Sequence, residues 1–294
     1  VSINKERERY LKSGLSGCLL VISNDAKIIT KESSCREYDH RLLLQAGKQK
    51  KFLDFNLKNI LCPTVINISE KKPTKFSMSY ISGIQYDHFL NYSSPQMVNK
   101  FSLYLDEYIK FLSEDNNTYY TDTDFKNICI AKINLIKSSI PDLKFLDYIK
   151  SRIYQCSNVS VPLTFCHGDL TLSNIIFCGD SIYLIDFLDS YIESWIIDII
   201  KLKQDLFYFW NISRGKNGEK TTRSMQSSLH IWYKIDLKYK KITESDEFKI
   251  LEALNFLRIY PYIKDTNEKK ILNNIIKKLP IYEEFNNTNG REII

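Results

Sequence analysis

The stretch Phe165-Cys-His-Gly-Asp-Leu-Thr-Leu-Ser-Asn174, followed by Ile185-Asp186-Phe187-Leu188-Asp189, decides how the chain is read. It brings two carboxylates and a carboxamide together. The apolar run Pro162-Leu-Thr-Phe-Cys166 predicts a short strand that delivers His167 and Asp169 to the start of a polar loop. The loop presents Asn174, and a second apolar run, Ile182-Tyr-Leu-Ile185, predicts the strand that returns Asp186 beside it. Oxygen donors placed this way suit Mg2+, which is commonly held by one or two protein oxygens together with substrate phosphates. Phosphoryl transfer then needs a carboxylate that orients the acceptor, and Asp169, five residues before Asn174, is placed for it.

Taken in order, His167-Gly168-Asp169, four further residues, Asn174, and then Ile185-Asp186-Phe187 resemble the catalytic and metal motifs of the aminoglycoside phosphotransferase and choline kinase superfamily. The resemblance implies an α+β, bilobal, protein-kinase-like fold, with a small β-rich N-terminal lobe and a larger, mainly helical C-terminal lobe. It also implies an ATP- and Mg2+-dependent kinase of small molecules. On that basis Asp169 is the catalytic base or acceptor-positioning carboxylate, Asn174 and Asp186 are the metal ligands, and His167 braces the loop. Read alone, His167 is a structural histidine, because a base already ionised at neutral pH lies two residues on. Gly168 stands where protein kinases usually carry Arg, the partner of an activation-loop phosphate, so regulation by phosphorylation is not expected. Asp198 matches an acidic family position that anchors the catalytic loop; read in isolation it is a buried Asp near a helix start, and both readings make it structural. Asp189 and Glu193 are candidates for an acidic acceptor rim.

The N-terminal part fits the same resemblance more loosely. Cys18–Ile22 and Ile28–Lys31 flank the turn-forming Ser23-Asn24-Asp25-Ala26 and predict a β-hairpin. Gly14-Leu-Ser-Gly17 resembles a phosphate-covering loop, in which small residues let backbone amides approach phosphate oxygens; an ordinary turn explains it equally. Lys31 is the candidate for the α/β-phosphate lysine, with Lys27 as its rival, and Glu37 is its candidate helix partner. Residues 36–53 carry Tyr38, Leu42, Leu43, Ala46 and Phe52 at helical spacing, and 64–68 and 75–81 read as strands. Phe76–Gly83 resembles the hinge between lobes: Ser79, Tyr80 and Ile81 would offer backbone to adenine and Met78 would back it, unless the run is only an edge strand.

The pattern turns helical after Gly83, giving the expected division into a nucleotide-binding lobe, 1–83, and a catalytic and acceptor-binding lobe, 84–294. Ser94 and Pro95 start a helix whose Val98, Phe101, Leu105, Tyr108 and Leu112 share a face. Helices are predicted over 124–139, 142–156, 192–210, 222–239, 244–260 and 266–278, with Ser213–Gly218 as a polar loop. Trp232, Tyr233, Arg258, Tyr260 and Tyr262 in these helices show no assignable pattern, and Arg258 interrupts an apolar run as either a salt-bridge or an acceptor residue would.

Composition bounds the partners. A chain of 294 residues with 44% hydrophobic content buries a large core. Its net charge of +6 helps to attract a phosphate-bearing ligand and is too modest for a duplex binder, so no nucleic-acid partner is expected. Lys48, Lys50 and Lys51, like Lys238, Lys240 and Lys241, read as solvated helix faces. Seven cysteines without a CxxC pair argue against a disulfide framework or a zinc site and fit a reducing compartment. Asn4–Arg9 lacks an apolar leader and every uninterrupted apolar stretch is far too short to span a bilayer, so a cytoplasmic protein acting on a small-molecule acceptor is expected.

Overall fold

The computed structural model describes residues 9–11, 18–23, 25–114, 118–214 and 222–289. The chain folds as two compact units. One comprises Val1–Tyr92 with His167–Asp189, and the other Ser93–Cys166 with Ser190–Ile294. The segment read above as decisive therefore packs with the N-terminal residues.

The first unit opens with three antiparallel strands, β1 (Arg9–Leu11), β2 (Cys18–Ile22) and β3 (Ile28–Ser33), then helix α1 (Arg36–Leu53). Strands β4 (Ile60–Leu61), β5 (Val65–Ser69) and β6 (Lys75–Ser79) follow, then helix α2 (Tyr86–Tyr92). The larger sheet has the order β1-β2-β3-β6-β5. Alternation along β6 points Phe76 and Met78 to one face, where they meet Leu42 and Ala46 of α1 in a buried core with Ile29, Tyr38, Val65 and Ile68 around it. Full burial of a side chain the size of Leu42 or Phe76 contributes about 1.5–3 kcal/mol.

In the second unit, α3 (Pro95–Glu114), α4 (Asp122–Ile136) and α5 (Leu143–Gln155) precede the return to the first. There β7 (Ile175–Cys178) and β8 (Ser181–Leu184) form a hairpin, and β4 pairs parallel with β8 in a second sheet. The chain then runs back through α6 (Trp195–Leu206), α7 (Trp210–Arg214), α8 (Thr222–Thr243), α9 (Asp246–Leu257), α10 (Thr266–Ile276) and α11 (Pro280–Asn289). All of α6 is buried, packed by α3, α8 and α9. Its polar residues are consequently paired: Asp198 accepts from the Tyr108 hydroxyl (2.7 Å), Lys203 bridges Glu252 (2.8 Å), and Gln204 accepts from Asn255 (2.9 Å). Burial pushes the Glu252 carboxyl up, and the Lys203 ammonium opposes that shift.

Most predicted elements stand where the sequence put them, with two kinds of difference. Residues 162–166 are not a strand; their polar groups go to separate partners, with Leu163 N–H on the Thr118 carbonyl, Thr164 N–H on the Glu193 carbonyl, and the Thr164 hydroxyl accepting from Trp195 N–H. No ladder forms along that run. The short elements β1, β4, β7, α2 and α11 went unread, and the predicted helix 192–210 is broken between α6 and α7. Of the expected loop Ser213–Gly218, residues 213 and 214 close α7 and the rest lie outside the described residues.

Candidate active site

Lys31 lies on β3 and its ammonium is buried, with only 5% of the side chain exposed. A buried ammonium requires an opposite charge, and here it pairs with the Asp186 carboxylate. Its helix neighbour is Gln45 of α1, whose side-chain oxygen lies 3.5 Å from Nζ. Gln45 was not read as a site residue, although glutamines at 45 and 49 on the apolar face of an amphipathic helix are a signal for polar work there. Glu37 stands in the first turn of α1, about two turns earlier, and its side chain lies outside the described residues. Gly14 and Gly17 lie outside them as well.

The catalytic-loop candidates are held by a short chain of bonds. Thr171 N–H donates to the Asp169 carbonyl (2.7 Å) and Asn174 N–H to the Thr171 carbonyl (3.0 Å), which turns the loop tightly. The Asn174 amide nitrogen donates to both the Asp169 carbonyl (2.8 Å) and the Asp169 carboxylate (3.1 Å). With the nitrogen committed, the side-chain oxygen of Asn174 is the donor left for a cation. Ile185 N–H donates to the Asn174 carbonyl (3.0 Å), so the strand end carrying Asp186 is tied to the same loop. Asp186 sits in the left-handed region (φ 61°), an unusual conformation for a non-glycine residue, and its side chain is 42% exposed.

His167 is fully buried. Its Nε2 meets the Ile185 carbonyl (2.8 Å) and its Nδ1 accepts from Asp169 N–H (3.3 Å), a pattern that requires the neutral Nε2–H tautomer. Burial holds its pKa down at about 4. The imidazole thus braces the loop that carries Asp169 against the end of β8. Gly168, with φ 83°, passes so close to Leu188 that a Cβ would collide with the Leu188 carbonyl. Leu188 N–H closes the arrangement on the His167 carbonyl (2.9 Å), and Phe187 packs against both His167 and Phe52.

An amide oxygen and an exposed carboxylate are hard donors that fit Mg2+. Among the described residues no cluster of three or more His, Cys, Asp or Glu can hold a metal, so a cation here would draw its remaining ligands from phosphate oxygens and water. In the expected hinge, Ser79 N–H is committed to the Thr64 carbonyl and Tyr80 N–H to the Lys27 carbonyl, while Met78 is buried in the core. Adenine would therefore have to be met by carbonyls or by Ile81. Lys27 itself points away toward Asp25 and is exposed. Glu193 is occupied locally, accepting from Ser190 N–H (2.7 Å) and meeting the Cys166 thiol, whereas Asp189 is exposed. Burial pushes the Tyr191 phenol up, and the half-buried Arg258 at the end of α9 opposes that shift.

The fold has counterparts among known phosphotransferases. A family model described as "Phosphotransferase enzyme family" matches residues 110–214. No curated protein matches the sequence at a significant level. Among solved structures, the GDP and kanamycin complex of APH(2")-IIia superposes with a TM-score of 0.61 at 13% identity, over 97% of this chain and 95% of that one. A choline/ethanolamine kinase family protein from Mesorhizobium loti gives 0.56 at 10% identity, over 95% and 90%. A thermostable mutant of the aminoglycoside phosphotransferase APH(4)-Ia, in ternary complex with AMP-PNP and hygromycin B, gives 0.58 at 10% identity, over 92% and 93%. The likeness to these solved structures shows a protein-kinase-like fold, and residues 110–214 are similar to the phosphotransferase family. Among the described residues no helix is long and apolar enough to cross a membrane.

Proposed function

We propose that the chain transfers the γ-phosphoryl group of ATP, with Mg2+, to a hydroxyl of a small molecule: a sugar, an amino alcohol such as choline or ethanolamine, or an aminoglycoside. The carrying observation is that Lys31 bonds Asp186 across the sequence, Asn174 bonds Asp169, and the Ile185 N–H on the Asn174 carbonyl ties the two pairs together within one unit. Lys31 holds the α- and β-phosphates. The Asn174 oxygen and the Asp186 carboxylate hold Mg2+, which neutralises charge on the phosphates when bound. Asp169 orients the acceptor hydroxyl and takes its proton as the new P–O bond forms and the bond to the β-phosphate oxygen breaks, releasing ADP.

The named ligands of the structural relatives, kanamycin, hygromycin B, GDP and AMP-PNP, support a polyhydroxylated or amino-bearing acceptor and a nucleotide donor. The seven cysteines, odd in number and without a CxxC pair, support a cytoplasmic setting. The test is Mg2+-dependent ADP release over pooled sugars, amino alcohols and aminoglycosides. Asp169→Asn should lower kcat by roughly 10²–10⁴-fold and leave nucleotide affinity nearly intact. Turnover retained in that variant assigns the role elsewhere.

A further inference from the structure

We infer that Lys48 of α1 is a positioning residue for the phosphoryl-transfer groups. It ties the helix that touches Lys31 to the backbone that carries Asp169 and Asp186.

The sequence groups Lys48 with Lys50 and Lys51 on a solvated face, and the structure separates it from them. Lys50 and Lys51 are exposed; Lys48 is half-buried. Its ammonium donates to the Leu188 carbonyl (2.7 Å). That carbonyl belongs to the same peptide stretch as Asp186, and the N–H of Leu188 is bonded to the His167 carbonyl (2.9 Å). Leu188 is thereby held from both sides, by the catalytic loop and by α1. A Cβ at residue 168 would collide with the same carbonyl and stand 3.5 Å from the Lys48 ammonium. Gly168 therefore leaves the space through which Lys48 reaches its acceptor.

Charge adds to the geometry. A hydrogen bond from an ammonium is about twice as strong as one between neutral groups, and half-burial limits the competition from water. Three other contacts come from the same face of α1, at the spacings that place side chains one above another. Gln45 meets Lys31 (3.5 Å), Gln49 donates to the Pro63 carbonyl (2.6 Å), and the Phe52 ring packs on Phe187 (5.2 Å between centroids). Of these, Lys48 alone bonds the backbone of the Asp186–Leu188 stretch, which is itself tied to the His167 carbonyl. A shift of α1 would otherwise move Lys31 relative to Asp169 and Asp186, and misplacement by about an ångström at such a site costs on the order of 10²-fold in rate.

This inference rests on the phosphotransferase reading, so its test pairs turnover with a readout that needs no acceptor. In Lys48→Met, kcat is expected to fall 10–100-fold while the KM for nucleotide stays within about threefold. Amide hydrogen exchange at Leu188 and Asp169 is expected to quicken about tenfold in the same protein without nucleotide, with the rest of the core unchanged. Lys48→Arg, which keeps a charged donor, should restore most of both; Lys48→Gln, which keeps a neutral donor, should restore less. Unchanged exchange at Leu188 and Asp169 in Lys48→Met overturns the inference whether or not an acceptor has been found. So does a kcat within twofold of wild type, or an equal loss in Lys48→Arg. If Lys48→Met does not fold, the Arg and Gln variants decide, and equal behaviour of these two overturns the role of the charge. Absence of turnover in the wild-type protein with every acceptor pool counts against the phosphotransferase reading alone and leaves the exchange result to judge Lys48.

Discussion

At the scale of single residues, Gly168 carries the most local constraint. A left-handed backbone (φ 83°) and the adjacent Leu188 carbonyl both exclude a side chain, so Gly168→Ala should destabilise the protein by about 1–3 kcal/mol and lower turnover. Thermal unfolding of the variant checks the first effect. His167 gives a second expectation, in pH. Its folded pKa, about 4, lies below the ordinary 6.5, so between those values the unfolded chain binds the extra proton. Stability due to this group is complete above about pH 6.5 and is lost as the pH falls toward 4, by at most on the order of 3 kcal/mol. Denaturant titrations at pH 7, 5.5 and 4.5 should show that decline, and His167→Asn should flatten it. That Asp169, Asn174 and Asp186 come together was legible, because a carboxylate, an amide and a second carboxylate recur within one short motif and the strand that follows it; the close approach of Gly168 to Leu188 was not. Gln45 and Lys48 were not legible in the same way. A glutamine or lysine on an amphipathic helix announces nothing until the partner across the fold is known, and their partners, Lys31 and Leu188, are 14 and 140 residues away.

Elements that depend on local periodicity were read well, and those that depend on distant pairing were not. Helix α1 matches its expected span of 36–53 because its apolar positions recur at helical spacing over five turns. Strand β4 is two residues long and exists only because Ile60 and Leu61 pair with Ile182 and Tyr183, a parallel ladder between segments far apart in the chain. No window of sequence contains that information. The run 162–166 shows the converse, since among the described residues its apolar residues find only a single bridge, Pro162 with Tyr119, which is too short a pairing to make a strand. Helix ends are again local. Asp265 accepts from both Asn267 N–H and Glu268 N–H (2.8 Å each) at the start of α10. Asp265→Ala leaves two first-turn donors without that acceptor and should cost about 1 kcal/mol, measurable as a lowered denaturant midpoint with an unchanged m-value. The acidic residues Asp246 and Glu247 follow the same logic at the start of α9, where Ser245 caps Phe248 N–H, so they read as a helix start.

At the scale of the whole molecule, the segment His167–Asp189 leaves the neighbours it has in sequence and packs with Val1–Tyr92. That grouping puts the three proposed phosphate and metal contacts, Lys31, Asn174 and Asp186, together with Asp169 in the unit that also holds α1 and both sheets. Ligand binding should therefore be readable as stability of the folded chain, independent of any acceptor. Anything that binds the folded state alone stabilises it by RT ln(1 + [L]/Kd), about 2.7 kcal/mol at a hundred times Kd. Thermal unfolding with ATP and Mg2+ should thus shift upward by several degrees, and ATP with a chelator should give much less of the shift. The direct Lys31–Asp186 pair makes the variants informative in opposite senses. Asp186→Asn removes a hard oxygen ligand and should abolish the Mg2+-dependent part of the shift. Lys31→Met leaves Asp186 without its counter-ion, so Mg2+ should still add to the shift while the part due to nucleotide alone falls. Equal loss of both parts in both variants would mean that Lys31 and Asp186 form only a structural pair, and that nucleotide and metal are held elsewhere.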